Sequence, residues 1–274
     1  FFTSAKVAPC FNNNIFSENF MVSLPPKFNI SKYLAKKNSK IIGFIGVGEQ
    51  AKSHFLALKA MFPSLNECRV SSRTFESEQK FIRQMKKFHP DVKFVPCNSD
   101  FQKATIESDI LVTAISSQQK ILKAEWIKSG TFYCHVAGLE DEFSVVKKAD
   151  KIVCDCWGSV KHRTQTISQM YQQGLLNDSD IYADLHEIII GEKCGRESEH
   201  EFIYFNSVGL SFLDTALAYW MYQKAIEAGR GINIPMMENS MFEVDDMGRN
   251  GSIIAGDNIL KNCRSCEGGG VIND

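Results

Sequence analysis

Ile41-Ile42-Gly43-Phe44-Ile45-Gly46-Val47-Gly48-Glu49-Gln50-Ala51 is the stretch on which the fold turns. Its first five residues form an unbroken apolar run that ends at a glycine-rich turn, as in a strand buried on both faces. Helical periodicity follows over Glu49 to Met61. A strand, a G-x-G-x-x-A turn and a helix in that order are the context in which such a turn binds a dinucleotide. Gly46 permits the tight turn. Gly48 lets the backbone approach a pyrophosphate with no Cβ in the way, and Ala51 lets the helix pack closely on the strand. The helix N-terminus offers unpaired N–H groups to an anion. Gly46, Gly48, Glu49 and Gln50 are therefore the first candidate cofactor residues. A strand-turn-helix with no ligand is the competing reading.

The pattern repeats outward from this unit. Cys68 to Val70, Val92 to Val95, Asp109 to Thr113, Thr131 to Val136, Lys151 to Asp155 and Glu201 to Asn206 read as further strands. Helices are expected over Phe75 to Phe88, Arg163 to Gln173, Ser179 to Ile190 and Leu210 to Ala228, the last stopped by Gly229. Alternating strand and helix implies parallel pairing. The expected fold is an α/β, doubly wound parallel sheet of the Rossmann type with a truncated second domain. Residues 1–38 are irregular apart from a short helix over Ser31 to Lys37, and read as a remnant of that domain or as an arm. Residues 39–231 read as the NAD(P)-binding domain. Residues 232–274 read as a return segment and, from Val244, a poorly packed tail rich in Gly, Asn, Asp and Ser.

Composition narrows the function. Of 274 residues, 31 are Lys or Arg and 32 are Asp or Glu, so the net charge of -1 lacks the field of a general nucleic-acid binder. No apolar run is long enough to span a membrane. The start carries no secretory signal and no initiator Met, so it reads as a fragment or a processed end. Nine Cys, an odd number, read as reduced thiols in a cytoplasmic protein. Cys154-x-Cys156 and Cys263-x-x-Cys266 lack partners that would complete a tetrahedral metal site.

Further candidates lie at expected strand ends. Ser72-Arg73-Thr74 follows the second strand, where a free ribose 2′-hydroxyl usually meets an acid and a 2′-phosphate prefers Arg and hydroxyls. No acid stands here, which favours NADP(H) and leaves NAD(H) possible. The alternative is a solvated Arg73 that stacks on the adenine. Thr113, Ala114, Ser116 and Ser117 follow the fourth strand, and Ala137 and Gly138 the fifth. All lie at the ligand-binding edge of such a sheet, although Ser116 and Ser117 also suit a simple turn. His135 is the one histidine placed to matter. Glu140-Asp141-Glu142 reads either as a general base near the nicotinamide or as a solvated acidic turn that caps the next helix. Ser207 and Gly209 precede the long helix, where Ser207 can cap it or touch the nicotinamide amide.

An ordered series of segments resembles the ornithine cyclodeaminase/mu-crystallin family. Ile45-Gly46-Val47-Gly48-Glu49-Gln50-Ala51 is similar to its I-G-x-G-x-Q-A turn, and Ser72-Arg73-Thr74 to its N-R-T segment. Ser108 to Ala114 resembles A-D-I-V-V-T-A, and Glu125 to Thr131 resembles E-W-L-K-P-G-T. Ala183 to Gly191 resembles A-E-L-G-E-V-I-x-G, and Phe205 to Asp214 resembles F-K-S-V-G-L-A-x-x-D. The resemblance covers about seven-tenths of the chain. It implies a two-domain homodimer with NAD(H) or NADP(H), acting on a small amino or imino acid by hydride exchange at the α-carbon. The activities implied are cyclodeamination and ketimine reduction, with a non-catalytic ligand binder or an inactive homologue as the alternative. Two departures stand out. Residues 1–38 match none of the family's N-terminal substrate and dimerisation segments. The family's G-x-D-x-P-G-K-x-E-L segment is shortened here to Gly138-Leu139-Glu140-Asp141-Glu142-Phe143, which leaves Asp141 or Glu140 as stand-ins for its catalytic Asp.

Overall fold

The computed structural model describes residues 30–115, 119–136 and 138–231. In chain order they form α1 (Ser31–Leu34), β1 (Ile41–Ile45), α2 (Glu49–Met61), β2 (Glu67–Ser71), α3 (Phe75–Met85), β3 (Lys93–Pro96), α4 (Phe101–Thr105) and β4 (Ile110–Thr113). A short 3-10 turn, Ala124–Trp126, leads to β5 (Phe132–His135), α5 (Phe143–Lys148), β6 (Lys151–Cys154), α6 (Trp157–Val160) and α7 (Thr166–Gln172). β7 (Ala183–Asp184), α8 (Leu185–Ile190), β8 (Ile203–Asn206) and α9 (Ser211–Glu227) complete the order. One compact unit runs to Tyr219, and a second begins at Trp220.

The strands lie in the order β3-β2-β1-β4-β5-β8-β6-β7, and every pairing is parallel. Strand order reverses between β1 and β4, so the chain leaves those two neighbours in opposite directions and opens a crevice at their carboxyl ends. Period-two alternation assigns the faces. Ile42 and Phe44 of β1 and Ile110 and Val112 of β4 pack with Phe55 and Leu58 of α2, Phe81 and Met85 of α3 and Ile188 of α8. Ile45 and Leu111 point the other way, toward Ala104 of α4, Val145 of α5, Val160 of α6 and Ile167 and Met170 of α7. Helices therefore cover both faces, as the sequence pattern requires.

Three details differ from expectation. Ile30, Leu34 and Ala35 are buried in the first of these cores, so residues 30–38 pack with the sheet rather than apart from it. The helix expected over Ser179 to Ile190 is interrupted by an eighth strand. Tyr182 N–H donates to the Ile152 carbonyl, which draws the chain to the sheet edge, and Asp184 then starts α8 through a capping box with Glu187. α3 ends at Met85, and the remainder to Phe88 closes in tight turns. Residues 1–29 and the segment 232–274, with its expected tail, lie outside the described residues.

Asp109 closes the amino edge of the sheet beneath the crevice. One carboxylate oxygen accepts from Lys36 Nζ at 2.8 Å and pairs with Lys128 Nζ at 2.9 Å. The other accepts the N–H groups of Lys40 at 2.8 Å and Ile41 at 3.1 Å. Burial alone would raise its carboxyl, but the donors from Lys36, Lys40, Lys128 and Ile41 outweigh it and hold the group well below the usual carboxylate range. A depressed folded-state value contributes stability above the unfolded value of about 4, and that contribution fades as pH falls. Asp109→Asn is expected to lower unfolding stability at pH 7 by about 2–3 kcal/mol, under the range for a fully buried pair because Lys128 still meets water. Urea unfolding at pH 7 and pH 3 tests this: the gap between wild type and variant should narrow at pH 3, and a constant gap would remove Asp109 from this role.

Candidate functional site

The crevice is built by the turn after β1. Gly46 adopts φ +97°, and its N–H donates to the Ser71 carbonyl at 2.8 Å, which folds the turn back over β2. A Cβ on Gly46 would stand 2.5 Å from the Ala114 carbonyl oxygen, so no other residue fits there. Gly48 is the N-cap of α2, and a Cβ on it would meet nothing within 4 Å, which leaves an approach to its backbone open. The N–H groups of Gly48, Glu49 and Gln50 find no acceptor among the described residues. Glu49 itself points to solvent and pairs with Lys52. Beside this turn, Ser71 Oγ and Gln50 Oε1 are buried without partners. Open backbone at a helix N-terminus with unmatched polar atoms around it fits the pyrophosphate part of a dinucleotide.

The turn after β2 continues the crevice. Ser72 is buried, its N–H donates to Glu78 Oε1 at 3.0 Å and its hydroxyl to the Thr74 carbonyl at 2.8 Å. Thr74 Oγ1 caps α3 by accepting from Ser77 N–H. Both hydroxyls are thus engaged within the chain. Arg73 between them is exposed, and its guanidinium has no partner among the described residues.

On the other side of the switch point, a buried polar cluster lies under the carboxyl ends of β5 and β8. Register pairs Tyr133 with Tyr204 and His135 with Asn206, so alternation sends all four side chains to one face. His135 Nδ1 is 2.8 Å from Asn206 Oδ1, which requires the nitrogen to donate. Its Nε2 lies 3.2 Å from Asp141 Oδ1 and 3.5 Å from Glu140 Oε1, aligned for a hydrogen bond with neither. Asp141 accepts from Thr166 Oγ1 and, at 2.9 Å, from the Tyr204 hydroxyl. Glu140 Oε2 accepts from Gly138 N–H at 2.7 Å. Asn206 donates to Gln165, and the Thr113 and Tyr133 hydroxyls hydrogen-bond to each other at 3.0 Å. Burial would keep the imidazole neutral, but the charges of Asp141 and then Glu140 push it up to about 10. Burial would likewise raise Asp141, and the His135 charge with the Thr166 and Tyr204 donors brings it below its ordinary value.

Glu140 and Asp141 are therefore fully buried, not a solvated acidic turn, and only Glu142 takes the cap position on α5. Ser207 and Gly209 meet an acid that sequence reasoning passed over. Asp155, just past β6, accepts from Ser207 Oγ at 3.1 Å, Val208 N–H at 2.8 Å and Gly209 N–H at 2.7 Å. Its carboxyl is raised because burial outweighs these donors. Ala114 lines the crevice through its carbonyl, and Thr113 faces inward. Ser116, Ser117 and Ala137 lie outside the described residues. The signal for the buried cluster was a tyrosine inside each of two apolar strands, since a buried hydroxyl needs a partner.

The model of the ornithine cyclodeaminase/mu-crystallin family matches residues 30–229. The chain is 32% identical over 212 residues to an alanine dehydrogenase of Archaeoglobus fulgidus, covering 74% of this chain and 62% of that protein. It superposes on the Thermococcus litoralis Delta(1)-pyrroline-2-carboxylate reductase, solved with NADH and L-proline, with a TM-score of 0.70 and 33% identity over 75% of this chain and 64% of that one. An archaeal alanine dehydrogenase dimer with bound NAD gives a TM-score of 0.69 and 29% identity over 80% of this chain and 67% of that one. The chain spans about three-fifths of the length of the curated relatives it matches.

His135→Gln keeps a hydrogen-bonding side chain but leaves the buried carboxylates without their cation. The expected loss is about 3–5 kcal/mol at pH 7, or roughly 6–20 °C in Tm for a domain of this size. A raised histidine contributes stability that is complete below its unfolded value of about 6.5 and is lost as pH rises through about 10. The variant should lack that alkaline slope. Equal slopes for variant and wild type in thermal melts from pH 6 to 10 would show that His135 is not the cation of the cluster.

Proposed function

The chain belongs to the ornithine cyclodeaminase/mu-crystallin family, and from that premise we propose that it is an NAD(P)-dependent enzyme acting on a small amino or imino acid. The reaction is hydride exchange at the substrate α-carbon, as ketimine reduction or cyclodeamination. The observation that carries this reading is the glycine turn at the β1–β4 switch point, where the N–H groups of Gly48, Glu49 and Gln50 face an open approach with no acceptor among the described residues. Bound there, the nicotinamide would supply or accept the hydride. Gly46, Gly48, Glu49 and Gln50 would hold the pyrophosphate, and Thr113, Ala114, Ser116, Ala137, Gly138, Ser207 and Gly209 would border the nicotinamide end.

NADP(H) is the cofactor we favour. A 2′-phosphate brings negative charge to the turn after β2, and the Arg73 guanidinium can meet it bidentately. Ser72 and Thr74 contribute there by fixing the backbone around Arg73, since their hydroxyls are engaged. A homodimer is the assembly this reading carries, by analogy with the archaeal alanine dehydrogenase dimer.

Proton handling is proposed for Asp141, with Glu140 beside it. Neither faces open solvent, so a proton must travel through groups already within contact distance: His135 Nε2, the Tyr204 hydroxyl and the Thr166 hydroxyl. The inward aim of both carboxylates also favours a second reading, a protein that binds the dinucleotide without turning over an amino or imino acid.

Two measurements test these proposals. Parallel calorimetric titration with NADPH and NADH should show NADPH bound more tightly, and Arg73→Glu should weaken NADPH by about tenfold or more while changing NADH little. Equal losses for both cofactors would sink the 2′-phosphate assignment. Asp141→Asn should lower kcat on a cyclic ketimine by roughly 10²–10⁴ while leaving the NADPH Kd within about twofold. An unchanged kcat would remove Asp141 from proton transfer, and NADPH binding without turnover of any amino or imino acid by wild type would favour the binder.

A further inference from the structure

We infer that Glu78 is a positioning residue that sets cofactor selectivity, by locking the turns after β2 and β3 together so that Arg73 is held out toward the ligand. The inference rests on the reading of Arg73 given above. Glu78 lies in the first turns of α3, where Glu76, Ser77, Gln79 and Lys80 are all exposed, yet it is fully buried. Its side chain runs back over the strand ends instead of into solvent. Oε1 accepts from Ser72 N–H at 3.0 Å and Ser99 N–H at 2.8 Å, and Oε2 from Asn98 N–H at 2.8 Å. Among the described residues no cation pairs with it, so backbone dipoles alone balance its charge.

The turn after β3 is shaped for an anion. Asn98 and Ser99 adopt φ +57° and +62°, two successive left-handed residues without a glycine between them. Successive N–H groups in turn conformations of this kind can converge into a concave anion site. Here the anion is the protein's own carboxylate, reaching across from another element. That explains why an unfavourable backbone is held at this point: the conformation is repaid by charge-assisted hydrogen bonds.

The consequence falls on Arg73. The residue before it is fixed twice, through Ser72 N–H to Glu78 and Ser72 Oγ to the Thr74 carbonyl. The residue after it is fixed as the cap of α3. Arg73 is the member of this turn whose side chain has no partner among the described residues. A guanidinium presented from a braced backbone loses less freedom on gripping a phosphate than one on a mobile loop. Glu78 touches no part of the ligand in this arrangement. It acts through Ser72 and Arg73.

The test uses the 274-residue chain and Glu78→Gln, which keeps shape and removes charge, together with Arg73→Glu. Calorimetry with NADPH and NADH should show the NADPH Kd of Glu78→Gln raised by about tenfold and the NADH Kd by less than about twofold. Equal losses for both, or no loss, would overturn the inference even where Arg73→Glu still abolishes NADPH preference. Should wild type show no preference at all, the Arg73 reading itself fails and this one falls with it. A second measurement needs only wild type and does not depend on the variant folding. Amide hydrogen exchange at Ser72, Asn98 and Ser99, without cofactor, should report one shared opening, with protection within about threefold after correction for intrinsic rates. Independent exchange of Ser72 from Asn98 and Ser99 would show that the two turns are not locked together.

Discussion

All the strand pairings in this sheet are parallel, and the rest of the molecule follows from that constraint. A parallel strand must be reached by a crossover, so every strand exit opens on one edge and every entry on the other. Exits leave N–H groups that the strands no longer satisfy, and buried N–H groups demand acceptors. The chain answers with carboxylates. Glu78 receives the turns after β2 and β3, Glu140 the turn after β5, Asp155 the turn after β8, and Asp184 the N–H of Trp157 after β6. The turn after β1 is left without such a carboxylate. Its N–H groups at Gly48, Glu49 and Gln50 find no acceptor among the described residues, although they sit at a helix N-terminus where an anion is most favoured. Most of the described exits are thus met by the chain's own carboxylates, whereas the helix N-terminus after β1 is left where an external anion would be favoured.

The opposite edge does the complementary work. There the pairs are full ion pairs: Asp109 with Lys36 and Lys128, and Lys151 with Glu197 and Glu201. These tie the strand entries to the connecting segments and consume the cations of that edge in neighbouring acids. Among the described residues Arg73 has no partner for its guanidinium, and His135 is enclosed by its own carboxylates.

Much of this was legible in the residues, and the limits have physical causes. β1, the glycine turn and α2 could be read because a continuous apolar run, two glycines and a helical period are all local signals. The start of α3 at Phe75 was legible too, although its Thr74 cap was not read as one. β7 was not, because two residues carry no periodicity and only pairing with β6 makes them a strand. The capping box of Asp184 and Glu187 was a local signal that would have corrected the long helix. The His135 cluster depended on pairing β5 with β8, which brings together residues 71 positions apart. Glu78 stands among exposed residues of α3, and nothing along the chain announces that two distant turns converge on it.

The shortened turn after β5 is where composition and placement part most clearly. Three adjacent acids suggest a solvated surface, yet the chain pins this segment from two sides. The Glu140 carbonyl accepts from Ile121 and Leu122, and Glu142 N–H returns to the Leu122 carbonyl, so the backbone is stitched beside the β4 exit. The side chains of Glu140 and Asp141 then have only the interior to face. A carboxylate entering that interior needs a cation, and His135 is the one within contact distance. Its position at the end of β5, in register with Asn206, supplies a donor on one nitrogen and a charge on the other. The acids and the histidine are thus mutually required. Removing the cation strands two charges, and removing an acid alters the protonation of a residue that lies directly under the crevice. Any proton chemistry at this edge is therefore a property of the cluster as a unit, and its pH dependence belongs to His135 and Asp141 together.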